Sequence, residues 1–295
     1  MKKMKVSVVI RNRNEARYLE KILYALSLQR VPPDEIIVVD NASEDNSAEV
    51  AARAQAKLVS IDTKTFTYGR ALNRGIREAS GEICVVLSAH TLPVGRNFIE
   101  ECLVPFEDER IAGVRCVHGA KQRDLEEWIS PQVLRSPVDP EKVIAYGPGC
   151  GYAIRRSVWQ EIPFEEDLEM IEDKAWAWEV LRNGYHIYSA CPAVYTHIRP
   201  RRTLEKIWRT NQEGRAVYRR FARRFPVRSP MQAIGGIVAA VCWRAPRAAV
   251  SVLVTTIGTH IFSLMLPIIA RKKASQGSRP FFEVSRSWKG SKKNE

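Results

Sequence analysis

The sequence predicts an α/β fold in which a mostly parallel sheet carries helices on both faces, extended at the C-terminus by further helix. Three observations lead there. Short runs of apolar, β-branched residues recur as "VSVVI" (6–10), "EIIVVD" (35–40) and "ICVVL" (83–87), and strands apolar throughout belong to sheets buried on both sides. Stretches of helical spacing lie between them, so strand–helix–strand units imply parallel crossovers. Each run also ends in polar residues: "RNRN", "DNAS" and "SAHT". Ligands of parallel sheets bind beyond the carboxyl ends of the strands, which should gather these three stretches on one edge.

Taken in order, the strand at 6–10 is followed by a helix whose Ala16, Leu19, Ile22, Leu23 and Leu26 share one face and which Pro32-Pro33 ends. After the strand at 35–40 come a turn and a second helix, where Asn46 and Glu49 have the spacing of a capping box. A third helix is predicted from Arg70 to Ser80, with Gly81 as its stop, before the strand at 83–87. Further strands are expected at 113–117, after the glycines of "YGPGCGYAIRRSVW" (146–159) and within "YHIYSACPAVYTHI". A helix between the last two carries Leu168, Ile171, Ala175, Trp178 and Leu181 on one face and stops at Gly184. The glycines of "GPGCG" lack the strand before and helix after that a dinucleotide fingerprint needs, and read as a tight turn.

Composition narrows the function. The 295 residues are 45% hydrophobic, enough for a sizeable core, and the net charge of +13 points to an anionic partner. Six cysteines without a CxxC pair and five histidines without zinc-finger spacing suggest reduced, buried thiols in a cytosolic setting. The five-residue apolar run near the N-terminus is too short for a signal peptide. Between Arg199 and Arg228, eleven Lys/Arg and two Glu supply +9 of that charge, and aromatic and aliphatic residues recur at helical spacing. The stretch 248–270 carries no residue charged at neutral pH apart from His260 when protonated, and as a helix it would extend about 34 Å. These features predict two parts, an α/β domain over 1–200 and a membrane-associated region over 201–295 that meets an anionic membrane surface from the cytoplasmic side, as a peripheral contact or through one C-terminal segment. No nucleic-acid-binding motif accompanies the charge, so nucleic acid is not an expected partner.

Several residues could carry chemistry. Asp40, where a strand meets a turn, can accept hydrogen bonds from a base or ribose, or can form the turn. The neighbouring carboxylates Glu172 and Asp173 can divide the work of a general base, or can simply start a helix. Trp176 and Trp178 suit a core, though a tryptophan near a carboxylate also suits a sugar-stacking surface. His118, His186 and His260 read as structural.

"VSVVIRNRNEARYLEKILYALSLQ", "IIVVDNASEDNS", "FTYGRALNRGIREASGEICVVL" and "EDKAWAWEVLRNGYHIY", in this order and spacing, resemble the family 2 glycosyltransferases of the GT-A fold, in their rhamnosyltransferase-like bacterial branch. The similarity covers about residues 5–200. It implies inverting transfer of a sugar from a nucleotide-diphosphate donor to a glycan or lipid-linked acceptor, in cell-surface polysaccharide or glycolipid synthesis. By position it makes Asp173 the catalytic base with Glu172 beside it, and Trp176 the acceptor-side tryptophan. Asn12, Glu15, Asp40, Gly69 and Asn73 become donor-binding residues, and His197 a histidine that reaches the metal or the diphosphate. The chain departs from the family where an acidic DxD-like motif should hold Mg²⁺ or Mn²⁺: Ser88-Ala89-His90 stands there instead. The arginine expected before the asparagine is replaced by Leu72, with Arg70 two residues earlier. Two readings of His90 follow, a ligand with His197 for Mn²⁺ or a related cation, or a partner of Arg70 in neutralising the diphosphate directly. A chain that binds nucleotide sugar or glycan without turnover is the alternative function.

Overall fold

The structure, a computed structural model, describes residues 4–120 and 122–200 together with Arg209, Gln212, Glu213, Ala216, Val217, Arg220 and Phe221. The chain divides into units 1–226 and 227–295; the second, and with it the apolar stretch 248–270, lies outside the described residues. Among the described residues no helix is long and apolar enough to cross a membrane.

The elements follow the expected alternation. Strand β1 (Val6–Asn12), helix α1 (Ala16–Ser27), β2 (Glu35–Asp40), α2 (Ser47–Arg53), β3 (Lys57–Ser60), α3 (Tyr68–Arg77) and β4 (Ile83–Ser88) form the first half. The second half holds β5 (Thr91–Pro93), α4 (Phe98–Leu103), β6 (Ile111–His118), α5 (Gln122–Ile129), β7 (Gln132–Leu134), α6 (Pro140–Tyr146), β8 (Tyr152–Arg155), α7 (Arg156–Glu161), α8 (Glu172–Arg182) and β9 (His186–His197). One sheet runs β3-β2-β1-β4-β8-β6-β9-β5, with β7 paired to β9. The β3-β2-β1-β4 half is parallel, β8 runs antiparallel between β4 and β6, and β6 and β9 are parallel to each other. This is the architecture that the resemblance to the GT-A fold implies.

Alternation along each strand separates two cores, as the pleat requires. Val9, Ile37, Val39 and Val86 lie with Leu72 and Ile76 of α3 and Trp176 and Leu181 of α8. Val8, Ile10, Val38, Val85 and Leu87 lie with Leu19, Ile22 and Leu26 of α1 and Phe98 of α4. Truncating any of these leucines or isoleucines to alanine costs about 2–5 kcal/mol.

Three local expectations are corrected. Asn46 precedes α2 without a side-chain cap bond, so no capping box forms. Asp45 does related work instead, accepting from the Ser47 backbone N–H at 3.1 Å and from the Ala16 N–H at 2.9 Å, which ties α2 to α1. Helix α3 spans Tyr68–Arg77, so Gly81 is not its stop. A Cβ at Gly81 would stand 2.5 Å from the Ser7 nitrogen, and its small size lets the chain enter β4 tight against β1. Leu168 precedes α8, which begins at Glu172.

The described residues of 201–221 pack onto the sheet domain. Arg220 pairs with Glu179 at 2.8 Å and with Glu165 at 3.3 Å, and Phe221 meets the Trp178 ring edge-on at 5.8 Å. The compact unit that holds the sheet therefore extends past residue 200, to Pro226.

Candidate active site

A cleft of about 530 Å³ opens where β1 and β4 end, lined by Arg11, Asn12, Glu15, Asn41, Tyr68 and His90 among others. Parallel register sets Asn12 beside Asp40 and Arg11 beside Ser88, so the three polar strand ends meet on one edge, as the sequence predicts.

On the first turn, Asn12 Nδ2 donates to Asp40 Oδ1 at 2.8 Å and to Ser43 Oγ at 3.2 Å. Ser43 closes the turn by donating its N–H to Asp40 Oδ2 at 2.9 Å and its hydroxyl to Asp40 Oδ1 at 2.6 Å. The Asp40 carboxylate is thus occupied inside the turn. It orients Asn12 and lies behind the lining rather than in it. Asn12 Oδ1 and the nearby Asn41 Oδ1 are buried and accept no hydrogen bond among the described residues. An unsatisfied buried acceptor costs about 1–3 kcal/mol, which a ligand N–H or O–H would recover.

The third-strand motif supplies one ring. His90 Nδ1 shares a 2.7 Å hydrogen bond with Glu15 Oε2, while Glu15 Oε1 accepts from Arg199 Nη1 at 3.0 Å. Pairing of β5 with β9 sets Thr91 opposite His197, and the His90 and His197 rings stand 5.1 Å apart. His118, read from sequence as structural, stacks on His197 at 5.0 Å and meets Tyr195 edge-on. The two histidines are neighbours as expected, yet the donor set does not fit a divalent cation. Ala89 offers no ligand and is fully buried, the Nδ1 of His90 is engaged by Glu15, and among the described residues no group of three or more His, Cys, Asp or Glu side chains could hold a metal ion. Hard cations such as Mg²⁺ need several oxygen ligands.

The acid pair stands at the N-terminus of α8. Ile171 precedes it in the left-handed region at φ 65°, and this turns the chain so that Glu172 and Asp173 open the helix. Glu172 Oε1 lies 3.5 Å from Arg11 Nη1. Burial, with the adjacent Asp173 charge, pushes the Glu172 carboxyl up to about 7 against the opposing pull of Arg11. Burial raises Asp173 as well, opposed by Lys174 and Arg11. Carboxyls held above their ordinary range by burial are suited to accepting a proton near neutrality.

Four sequence-predicted site residues take other places. Asn73, 1% exposed, donates to the Phe164 carbonyl at 2.8 Å and to Glu166 Oε1 at 3.0 Å, and accepts from Trp159 Nε1 at 2.9 Å and Phe164 N at 3.1 Å. A Cβ at Gly69 would stand 2.3 Å from the Glu165 carbonyl oxygen. Arg70 pairs with Glu166 at 3.3 Å and Asp167 at 3.9 Å. All three therefore engage the segment 164–167 that leads into α8, and none lines the cleft. Trp176 is 2% exposed, donates to the Ile162 carbonyl at 2.7 Å and packs on Phe164 at 5.6 Å. It is core and offers no stacking face to an acceptor.

Sequence reasoning did not assign Arg11, Asn41, Tyr68, Arg199 and Arg209, all of which line the cleft. The signal for Arg11 was present in "RNRN", but a basic residue just after an apolar run also reads as a solvated strand end.

Comparison with known proteins agrees with this picture. The profile of glycosyl transferase family 2 matches residues 7–162. The O-antigen chain rhamnosyltransferase RfbN of Salmonella typhimurium is 24% identical over 209 residues, 66% of each chain. The probable glycosyltransferase YdaM of Bacillus subtilis is 28% identical over 70% of this chain and 53% of its own length. The chain thus spans just under two thirds of one of these relatives and about half of the other. Among solved structures, the mannosyltransferase PcManGT from Pyrobaculum calidifontis, in complex with GDP-Man and Mn²⁺, shares the fold with a TM-score of 0.61 at 22% identity, covering 92% of this chain and 79% of that one.

Proposed function

The chain belongs to glycosyl transferase family 2, and on that footing we propose that it moves a sugar from a nucleotide-diphosphate donor to a hydroxyl of a glycan acceptor, with inversion at the anomeric carbon. One observation carries the reading. Buried Glu172 pairs with Arg11 at 3.5 Å, Arg11 forms part of the wall of a cleft at the carboxyl ends of β1 and β4, and half-buried Asp173 follows Glu172 at the start of α8. A base, a cation and a nucleotide-sized hollow are the parts the reaction needs.

Asp173 takes the proton as the acceptor oxygen attacks the anomeric carbon. The bond from that carbon to the phosphate oxygen breaks, and its electron pair leaves with the nucleotide diphosphate. Glu172 holds Arg11 and shares the burial that keeps the pair basic. Asn12 and Asn41 supply acceptors for the donor's base or ribose, and Asp40 acts through Asn12 by fixing its amide. Gly69, Arg70 and Asn73 act through the segment 164–167, which delivers the acid pair.

A lipid-linked acceptor at the cytoplasmic face of a membrane completes the reading. It is supported by the O-antigen activity in a relative's name and by the basic stretch from Arg199 to Arg228, which suits anionic headgroups or a lipid diphosphate. A non-catalytic binder is favoured only by the missing DxD motif. Incubating the full chain with UDP-, GDP- and dTDP-sugars and membrane lipid extract tests both readings. Release of the nucleoside diphosphate that depends on acceptor supports transfer. Donor binding without release would establish the binder.

A further inference from the structure

The metal that accompanies nucleotide sugar in the similar structure has no fitting donor set here, and something else must carry positive charge to the leaving diphosphate. We propose that Arg11 is that cation, and that this chain binds and activates its donor without a divalent metal. The inference rests on the glycosyltransferase reading and specifies how its donor site works.

Arg11 occupies the right place. Its strand partner in register is Ser88, the first residue of the rewritten motif, and Arg11 Nη2 donates to Ser88 Oγ at 3.4 Å. Nη1 stands 3.5 Å from Glu172 Oε1 on the other side. The guanidinium thus bridges the position where a metal-binding carboxylate is absent and the acid pair that receives the acceptor's proton. A cation there faces both charges that develop during transfer, the departing diphosphate and the carboxylate.

Arg11 also has unused capacity. Its Nε makes no hydrogen bond among the described residues, and its Nη1 is engaged there by the 3.5 Å ion pair with Glu172 without a hydrogen bond. A guanidinium presents five N–H donors in a fixed fork that matches phosphate oxygens in pairs. Tyr68 backs the group, with the Arg11 guanidinium carbon 4.6 Å from the ring centre, which holds the guanidinium in place before a ligand arrives. Arg13, Arg199 and Arg209 line the same cleft, and among its lining residues Glu15 is the single carboxylate. A hollow lined by four guanidiniums and one carboxylate repels a free divalent cation and attracts a diphosphate. Glu172 does not cancel the Arg11 charge fully near neutrality, because its carboxyl is pushed up to about 7.

The test is calorimetric titration of the full chain with UDP, GDP, dTDP and the matching nucleosides, in EDTA and again in Mn²⁺. The preferred diphosphate should bind in EDTA within about threefold of its affinity in Mn²⁺. Arg11→Gln should weaken the diphosphate by about tenfold or more, as expected for a lost charge-assisted bond, and leave nucleoside affinity unchanged. Arg11→Lys, which keeps the charge without the fork, should fall between and guards against a folding defect in the glutamine variant. Binding that appears only with Mn²⁺ would overturn the inference and leave the glycosyltransferase reading standing. Equal diphosphate affinity in parent, Arg11→Gln and Arg11→Lys would also overturn it. Failure of every nucleotide to bind in either condition would overturn both.

Discussion

Two buried asparagines show how differently the two walls of this site are built. Asn73 on α3 spends its whole amide on protein: two bonds given and two received, all within the 159–166 region. Asn12 at the end of β1 gives its amide N–H groups to Asp40 and Ser43, and its oxygen accepts none among the described residues. Both sit in a stretch shared with the family. The first is a strut that holds the segment before α8. The second is a socket with one side open. A shared motif therefore marks two kinds of residue, and only hydrogen-bond saturation separates them.

The largest effect expected to sharpen this contrast comes from the acid that the strut delivers. Asp173→Asn should lower transfer by about a thousandfold while leaving nucleotide affinity within about twofold; transfer near the parent rate would remove Asp173 as the base. Asn73→Ala strands Trp159 Nε1 and both Phe164 backbone groups, so unfolding free energy should fall by about 2–4 kcal/mol, read by urea denaturation. If stability held and nucleotide affinity collapsed instead, the distinction between strut and socket would break.

A pH effect follows from Glu172. Its carboxyl is raised from 4.5 to about 7 in the folded chain, so the native state keeps a proton that the unfolded state has released. Stability from this group is therefore full below about 4.5 and is lost as pH rises through about 7. Glu172→Gln should flatten that slope and rank better against the parent at about pH 8 than at about pH 5 by chemical denaturation. The smallest effect belongs to Trp176→Phe, which loses the bond to Ile162 and should cost about 1–3 kcal/mol without changing acceptor KM. A raised KM at unchanged stability would return Trp176 to the acceptor site.

The parts legible in the sequence are those with a local physical signature. Runs such as "VSVVI" and "ICVVL" announce strands because both faces are buried, and Leu19 to Leu26 announce α1 by their spacing. β3, β5 and β7 escaped notice because they are three or four residues long, and only Val59 of β3 is buried. The edge on which polar strand ends meet was also legible, since parallel topology dictates it. Partner choice was not. That Arg11 faces Glu172, or that Asn73 serves Phe164 rather than a diphosphate, depends on contacts across 161 and 91 positions of chain, and no periodicity records them. Trp176 was misplaced for a related reason: a tryptophan four residues after Glu172 looks alike from sequence whether it faces a sugar or the core.

Ile171 carries a consequence beyond the site it introduces. A β-branched residue in the left-handed region is disfavoured by roughly 1–2 kcal/mol, yet the side chain is buried in the core beside α8. Glycine would ease the backbone and remove the anchor; valine would keep the strain and lose part of the anchor. Neither is a free step. A residue that replaces Ile171 without cost has to satisfy both demands together. In chains descended from a common ancestor, replacement of Ile171 should travel with loss of the two carboxylates that follow it.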